Sequence, residues 1–345
     1  MPLSLPAIMG NKLRFGIIGC GKIAPRHASE ISRIGILAGV CDIIPERANQ
    51  LAQQFNSQAF YNITDFLKHQ PYDVIAICTP NGLHAEHSIL ALQANSHVLC
   101  EKPLSTTAKD ATDMMEAAVN TGKKLFVVKS TRYNPALISL KEILNNGQLG
   151  QIFSFQLNCF WNRPNSYYAS TWKGNALMDG GILFTQFSHY IDALLWLLND
   201  TVKQVSGFRN NFTHQGFIDF EDTGIASIQM NKGTIGGINW SVNSFQKNME
   251  VSLVILAENG SIKIGGEYMN NVEYQLTADT CPVLTTQTGQ PNDYGFYKGS
   301  MSNHDKVYDN LLLAIDNDKH PFSNAIDGLK TVEAIQQIYN AMPLA

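Results

Sequence analysis

The sequence predicts an α/β protein of two lobes. The first is a doubly wound parallel sheet with helices on both faces, and the second is an α+β lobe built on a large, mainly antiparallel sheet. Three observations carry this. With 345 residues, the chain exceeds one ordinary domain of about 150 residues, and each of two lobes can bury a core. From Leu13 onward, short apolar runs alternate with helical stretches, as in right-handed βαβ units. After Gly150 the pattern changes to long strands joined by hairpins. The boundary falls at 130, giving domains 1–130 and 131–345, and a C-terminal helix is expected to pack back on the first.

In the first lobe Arg14–Ile18, Ile36–Cys41, Val74–Cys78 and His97–Cys100 read as strands, because continuous apolar runs suit strands covered on both faces. Pro45–Phe55 and Leu83–Ala94 read as helices between them, and Leu125–Lys129 as a further strand. Asn134-Pro135 has the chemistry of a capping residue and a first-turn proline, opening a helix that ends near Gly147. In the second lobe the strands are Gln151–Trp161, Lys203–Phe212, Thr223–Met230, Thr234–Val242, Val251–Leu256 and Ser261–Gly265. Asn231-Lys232-Gly233 and Glu258-Asn259-Gly260 are expected to supply the positive φ that hairpins need. One long helix, Ile182–Leu198, interrupts the strands, and the tail returns to helix at His304–Asp316 and Gly328–Ala341. The chain contains no internal repeat.

Composition narrows the function. Hydrophobic residues make up 44% and charged ones 16%, which is globular, and a formal net charge of −4 disfavours a nucleic-acid partner. A small-molecule ligand is expected. No apolar run approaches the roughly 20 residues of a membrane span, and Met1–Lys12 lacks the basic and apolar regions of a leader, so the expectation is a cytoplasmic protein without membrane contact. Cys20, Cys41, Cys78, Cys100, Cys159 and Cys281 form no C-x-x-C pair, and reduced core thiols are favoured over a metal site.

Gly19-Cys20-Gly21-Lys22-Ile23-Ala24 follows the first strand in the G-x-G-x-x-G/A form of a Rossmann domain, where backbone amides at a helix start approach a pyrophosphate. Asp42 ends the second strand, 23 positions after Gly19, where a carboxylate accepts from ribose hydroxyls and repels a 2′-phosphate. A plain tight turn explains the glycines but not the acid, so NAD is the expected cofactor. Lys102, in Glu101-Lys102-Pro103, stands at the carboxyl edge of a strand, where it is either the base for hydroxyl oxidation or a surface lysine. Thr185, His189 and Asp192 share a polar face of an otherwise apolar helix entered through Gly180-Gly181. Phe160 to Lys173 concentrates aromatics and cations, among them Arg163, Tyr167, Tyr168 and Lys173. Arg163 suits a carboxylate or phosphate, and the aromatic faces suit sugar or uracil rings, with subunit packing as the competing explanation.

These motifs, with Thr79-Pro80-Asn81 and His84, resemble the Gfo/Idh/MocA oxidoreductases across about Lys12 to Met342. Asn158–Trp172 and Gly180–Trp196 are most similar to the WlbA-type dehydrogenases that oxidise C3 of UDP-N-acetylglucosaminuronic acid in bacterial surface-sugar synthesis. The resemblance implies that Gly19, Gly21, Ile23, Ala24, Asp42, Thr79, Asn81, His84, Glu101 and Lys102 line the NAD site, and that Lys102 and His189 handle protons. It implies Arg132, Asn134, Arg163, Tyr168, Lys173, Gln186 and Asp192 as substrate-binding candidates. It further implies a cis proline after Lys102 and a homo-oligomer, tetramer or dimer, formed through the C-terminal sheets; no metal is expected. One departure stands out: many relatives carry an aspartate four residues before the histidine, where this chain has Thr185. Rival readings are the same chemistry on UDP-N-acetylglucosamine or another hexose or polyol, and a non-catalytic NAD-binding regulator.

Overall fold

The computed structural model describes residues 12–69, 71–169, 172–279, 281–285, 291–293, 298–317 and 325–344. The first eleven residues, expected to form no leader, lie outside them. Two compact units emerge: Met1–Lys129 with His304–Leu329, and Ser130–Asn303 with Lys330–Ala345. The chain therefore re-enters the first unit after the second is built, so His304–Leu329 is not part of the second unit as the expected span 131–345 had it.

In the first unit, β1 (Arg14–Ile18), α1 (Ala24–Ile34), β2 (Ile36–Cys41), α2 (Pro45–Phe55), β3 (Gln58–Phe60), α3 (Ile63–His69), β4 (Val74–Ile77), α4 (His84–Gln93), β5 (His97–Cys100), α5 (Ala108–Thr121) and β6 (Leu125–Val127) alternate. All six strands are parallel, in the order β3-β2-β1-β4-β5-β6, which is the Rossmann arrangement. Every residue of β4 is buried, as a strand covered on both faces requires. Caps explain the helix ends: Thr107 accepts from the Asp110 amide at 3.0 Å to open α5, and Gly122, at φ 66°, closes it. The expected helix Leu83–Ala94 begins with a 3₁₀ turn, Asn81–Leu83. The helix expected at the glycine loop is α1, whereas α3, β3 and α5 were not among the expected elements.

The second unit holds α6 (Pro135–Asn145), β7 (Ile152–Phe160), two single turns α7 (Asn165–Tyr168) and α8 (Ala176–Asp179), α9 (Ser188–Leu198), β8 (Val202–Asn210), β9 (Thr223–Met230), β10 (Ile235–Ser241), β11 (Glu250–Ala257), β12 (Gly260–Gly265), β13 (Asn271–Thr277), β14 (Pro291–Asp293) and β15 (Lys298–Met301). The seven-stranded sheet runs β13-β12-β11-β7-β10-β9-β8 and is antiparallel except where β7 meets β10. Its inner face carries Leu157, Ala226, Ile238, Trp240 and Ile255, all buried. Its outer face carries an amide ladder in which Asn239 Nδ2 donates to Asn158 Oδ1 at 2.8 Å, and Asn158 Nδ2 to Ser252 Oγ at 3.3 Å. After β15, α10 (His304–Asp316) packs against α1 in the first unit, and α11 (Ala325–Ala341) crosses back to the second.

Three local expectations change. The β9–β10 turn does use positive φ, at Gly233 (97°), but the β11–β12 turn does not. Ala257 pairs with Gly260 there, and a Cβ on Gly260 would lie 2.6 Å from Thr277, so close packing rather than φ selects that glycine. The helix Ile182–Leu198 opens as a π-helical turn, Leu183–Phe187, before α9. Asn134 precedes α6 without a side-chain cap; its amide serves the interior instead.

Candidate active site

At the carboxyl edge of the parallel sheet, the glycine loop is fixed by its own backbone. Gly19 N donates to Cys41 O at 2.8 Å, and Gly19 holds φ 94° with a would-be Cβ 2.6 Å from the Cys78 carbonyl carbon, so only glycine fits. A Cβ on Gly21, by contrast, meets nothing within 4 Å; protein packing leaves the loop open where a pyrophosphate approaches backbone amides. Asp42, 9% exposed, accepts from Cys20 N at Oδ2 and from Ile44 N at Oδ1, both at 2.8 Å. Burial, then Asp42, pushes the Cys20 thiol up to about 12, and burial raises the Cys41 thiol likewise; neither is a nucleophile at neutral pH. The open glycine, the loop amides and the placed carboxylate fit a dinucleotide.

The next two strands end in the same place. After β4, His84 is buried with Nε2 2.9 Å from Thr79 O and Nδ1 2.7 Å from Pro103 O, so it braces the β4 and β5 loops against each other. Burial lowers its pKa, and a neutral ring donates to one of these carbonyls. Asn81 is also buried, in the 3₁₀ turn. After β5 comes the half-buried Lys102, joined to Pro103 by a cis peptide bond. Glu101 points inward. Its Oε1 lies 3.0 Å from His27 Nε2 and 3.3 Å from His304 Nε2, and its Oε2 accepts from Lys102 N at 3.0 Å. Burial favours the neutral acid, but the two imidazoles outweigh it and hold the Glu101 carboxyl well below the usual range. Among the described residues, His27, Glu101 and His304 are the group whose atoms could meet on one ion, and they already meet at hydrogen-bond distance.

In the second unit, His189 is 8% exposed at the start of α9, its Nε2 3.3 Å from Ser300 Oγ. Thr185, in the π-helical turn, sets its hydroxyl against the buried Asp179, contacting both the carbonyl and Oδ1. The substrate-binding candidates divide into three groups. Arg132 and Asp192 pair with each other, Nε to Oδ2 and Nη2 to Oδ1, both at 2.7 Å. Asn134 accepts from Asn303 at 2.9 Å and donates to Met269 O at 3.2 Å. Arg163, Tyr168, Lys173 and Gln186 surround Tyr167. Arg163, expected to offer its fork to a ligand, is 2% exposed; Nε donates to Gln186 Oε1 at 3.0 Å, and Nη1 to Asn162 O at 2.6 Å and Asn248 Oδ1 at 3.1 Å. Gln186 Nε2 donates to Tyr167 Oη at 2.9 Å, and Lys173 Nζ, half-buried, stands 3.7 Å over the Tyr167 ring. Tyr168 is buried with its ring against Tyr167 and His214.

Sequence reasoning missed His27, His214, Asp222 and His304. His27 left a trace, since it shares the buried face of α1 with Ala24, Ala28 and Ile31 at helical spacing. His214 bridges Asp222 Oδ2, at 3.1 Å, to the Arg163 carbonyl, at 2.7 Å, and no local pattern announces that pairing.

Comparison with known proteins is consistent with this geometry. Residues 13–129 match the family model for the oxidoreductase family with an NAD-binding Rossmann fold, and 137–263 match the GFO/IDH/MocA C-terminal domain. The chain is 30% identical to the inositol 2-dehydrogenase of Salmonella paratyphi B over 200 residues, a match spanning 56% of this chain and only 56% of that enzyme. It is 31% identical to the D-glucoside 3-dehydrogenase of Escherichia coli, over 70% of this chain and 73% of that one. Among solved structures, the WlbA dehydrogenase of Bordetella pertussis, in complex with NADH and UDP-GlcNAcA, superposes with a TM-score of 0.86 at 30% identity, covering 96% of both chains.

Proposed function

The chain belongs to the Gfo/Idh/MocA oxidoreductase family, and from that premise we propose that it oxidises a hydroxyl of a nucleotide sugar to a ketone, at C3 of UDP-N-acetylglucosaminuronic acid, in surface-polysaccharide synthesis. The observation that carries this reading is the likeness to the WlbA dehydrogenase across 96% of both chains. NAD, when bound, supplies the hydride acceptor. The chain's residues supply the rest. Gly19–Ala24 and Asp42 grip the dinucleotide. As the C3–H bond breaks with its electron pair, Lys102 or His189 takes the hydroxyl proton, and the other hydrogen-bonds the carbonyl oxygen that forms. Lys102→Met and His189→Ala should each lower kcat by roughly 100-fold or more, with NAD affinity little changed for His189→Ala. Near-wild-type turnover in both would remove the assignment.

The uronate carboxylate needs a cation. Arg163 offers the better fork but is enclosed by Gln186, Asn162 and Asn248, which shifts weight to Lys173. A charge-assisted hydrogen bond contributes about 1.5–3 kcal/mol, so the wild type should prefer the uronate to UDP-N-acetylglucosamine by roughly 10- to 150-fold in kcat/KM. Lys173→Met should erase that preference, whereas Arg163→Met should lower stability and both sugars' turnover alike. A second reading, oxidation of a free polyol or glycoside, draws support from the inositol and glucoside dehydrogenase relatives and from the enclosure of Arg163. NADH formation across UDP-N-acetylglucosaminuronate, UDP-N-acetylglucosamine, inositol and a methyl glucoside separates the two readings.

A homo-oligomer, tetramer or dimer, forms part of the proposal. Phe208 and Ile225 face each other across β8 and β9 on the outer sheet face, 86% and 59% exposed, with Ile235, 58% exposed, on the same face at the other end of β10, and an open sheet face with such residues suits a second copy.

A further inference from the structure

A carboxylate deep in the first unit takes donors from two separate helices and from the neighbouring backbone amide. Glu101 Oε1 receives His27 from α1 and His304 from α10, the latter 203 positions away in sequence. Both rings can present Nε2–H to the carboxylate. His27 Nδ1 lies 2.8 Å from Tyr308 Oη and Nε2 3.0 Å from Glu101 Oε1; whether Nδ1 accepts from the Tyr308 hydroxyl or donates to it, Nε2–H is the nitrogen that donates to Glu101. His304 Nδ1 is buried without a partner among the described residues, which favours a bare lone pair there and Nε2–H toward Glu101. A carboxylate and two imidazoles are costly to bury, and apolar residues of the same volume would fill the space without that cost. What this cluster does that apolar residues could not is leave Glu101 Oε2 to accept the Lys102 amide at 3.0 Å. On the far side of Lys102, with the His84 ring proton on Nδ1, the nitrogen with the shorter contact, His84 donates to the Pro103 carbonyl at 2.7 Å. The backbone on either side of Lys102 is thereby tied to side chains, and on the amino side the tie is set by two helices.

We propose that His27, Glu101 and His304 form a positioning device that fixes the Lys102 backbone, so that α1 and α10 together set where the lysine side chain leaves the sheet edge. His27 and His304 are positioning residues, and their effect on turnover rests on the proton-handling role given to Lys102 above. Phenylalanine at either histidine keeps a ring and removes the donor; glutamine restores a nitrogen donor near the Nε2 position. The experiment uses the full chain, comparing His27→Phe, His304→Phe, His27→Gln, His304→Gln and Lys102→Met. It reads kcat, NAD binding, and the Lys102 amide signal in protein labelled with nitrogen-15 at lysine, with Lys102→Met identifying that signal.

Each Phe variant should lose about 10- to 100-fold in kcat, the scale of a slightly misplaced catalytic group, while NAD affinity stays within about threefold. The Lys102 amide should move in the Phe variants and return, together with kcat, in the Gln variants. A Lys102 amide that stays put in both Phe variants overturns the proposal whatever happens to turnover. So does an amide that moves while kcat holds in a protein that Lys102→Met inactivates. If Lys102→Met itself leaves turnover intact, the proton-handling assignment falls, and the amide shift alone decides whether the device stands. Stoichiometric zinc or another transition metal in the purified protein would make the rings ligands rather than donors and would also overturn it.

Discussion

Asp42 uses one carboxylate to hold the glycine loop through the Cys20 amide and the start of α2 through the Ile44 amide, and in the proposed function it also meets the ribose diol. Replacing it separates these tasks. In Asp42→Ser, the ratio of kcat/KM for NAD over NADP should fall by roughly 10-fold or more, the size of one charge-assisted hydrogen bond together with lost repulsion of a 2′-phosphate. Thermal stability should fall as well, because two amides lose an acceptor. A wild type that prefers NADP, or a variant that loses stability with the ratio unmoved, would reduce Asp42 to a loop anchor. Arg132 and Asp192 show the same economy in reverse: two residues marked for a ligand satisfy one another, and Thr331 Oγ1 adds a bond to Asp192 at 3.2 Å.

At the scale of elements, the entry to α9 is governed from α11. Tyr339 Oη accepts from Leu183 N at 2.9 Å and donates to the buried Glu221 at 2.8 Å, pinning the first residue of the π-helical turn. Gly180 and Gly181 hold φ of 86° and 121°, and a Cβ on Gly181 would lie 2.5 Å from Tyr339 Oη. The paired glycine therefore exists for a backbone conformation and a close approach together. Gly181→Ala should destabilise by about 1–3 kcal/mol or more, from the strained φ plus the clash. Tyr339→Phe should cost about 1–3 kcal/mol by stranding the buried Leu183 amide and removing one of the two donors to Glu221 Oε1, which keeps Trp240 Nε1 at 3.1 Å. Both should appear as lowered unfolding midpoints, and because the turn leads into His189, both should lower kcat more than NAD affinity. Unchanged midpoints would mean the π-helical turn holds itself.

For the whole molecule, the buried titratable groups set how stability follows pH. His84, His87 and His304 are all lowered from about 6.5, with burial as the first cause. In the unfolded chain they protonate at ordinary pH, and in the folded chain later, so their contribution is full above about 6.5 and declines as pH falls toward their folded values. Glu101 and Asp222 are lowered carboxylates: burial opposes the shift, but their hydrogen bonds outweigh it, and their contribution is lost only below the ordinary carboxylate range. Glu221 runs the other way, raised by burial, so its ionisation costs stability as pH rises through its folded value and offsets part of the acid loss. Unfolding midpoints should hold steady between pH of about 7 and 8, fall above the ordinary thiol range because Cys20 and Cys41 are raised by burial and ionise first in the unfolded chain, begin to fall below about 6.5, and fall further in the acid range. A profile flat down to the carboxylate range would show that the three histidines are not held neutral.

The parallel sheet, the glycine loop, Asp42 and the Lys102 loop were legible in the chain because each depends on neighbours close in sequence: an apolar run, a turn, a residue at a strand end. The unpredicted β3 and β13 are a three-residue strand and a partly exposed edge strand, too short or too polar to stand out. Side-chain partners were not legible. Asn134 has the chemistry of a cap, yet it bonds Asn303 and Met269; Arg163 has the fork for a carboxylate, yet Gln186 and Asn248 occupy it. Glu101 needed His304 from the other end of the chain. A local motif places a backbone segment through short-range sterics and hydrogen bonding, whereas the partner of a buried polar group is whichever donor or acceptor the packing brings within about 3 Å, and that choice exists only once the distant elements have come together.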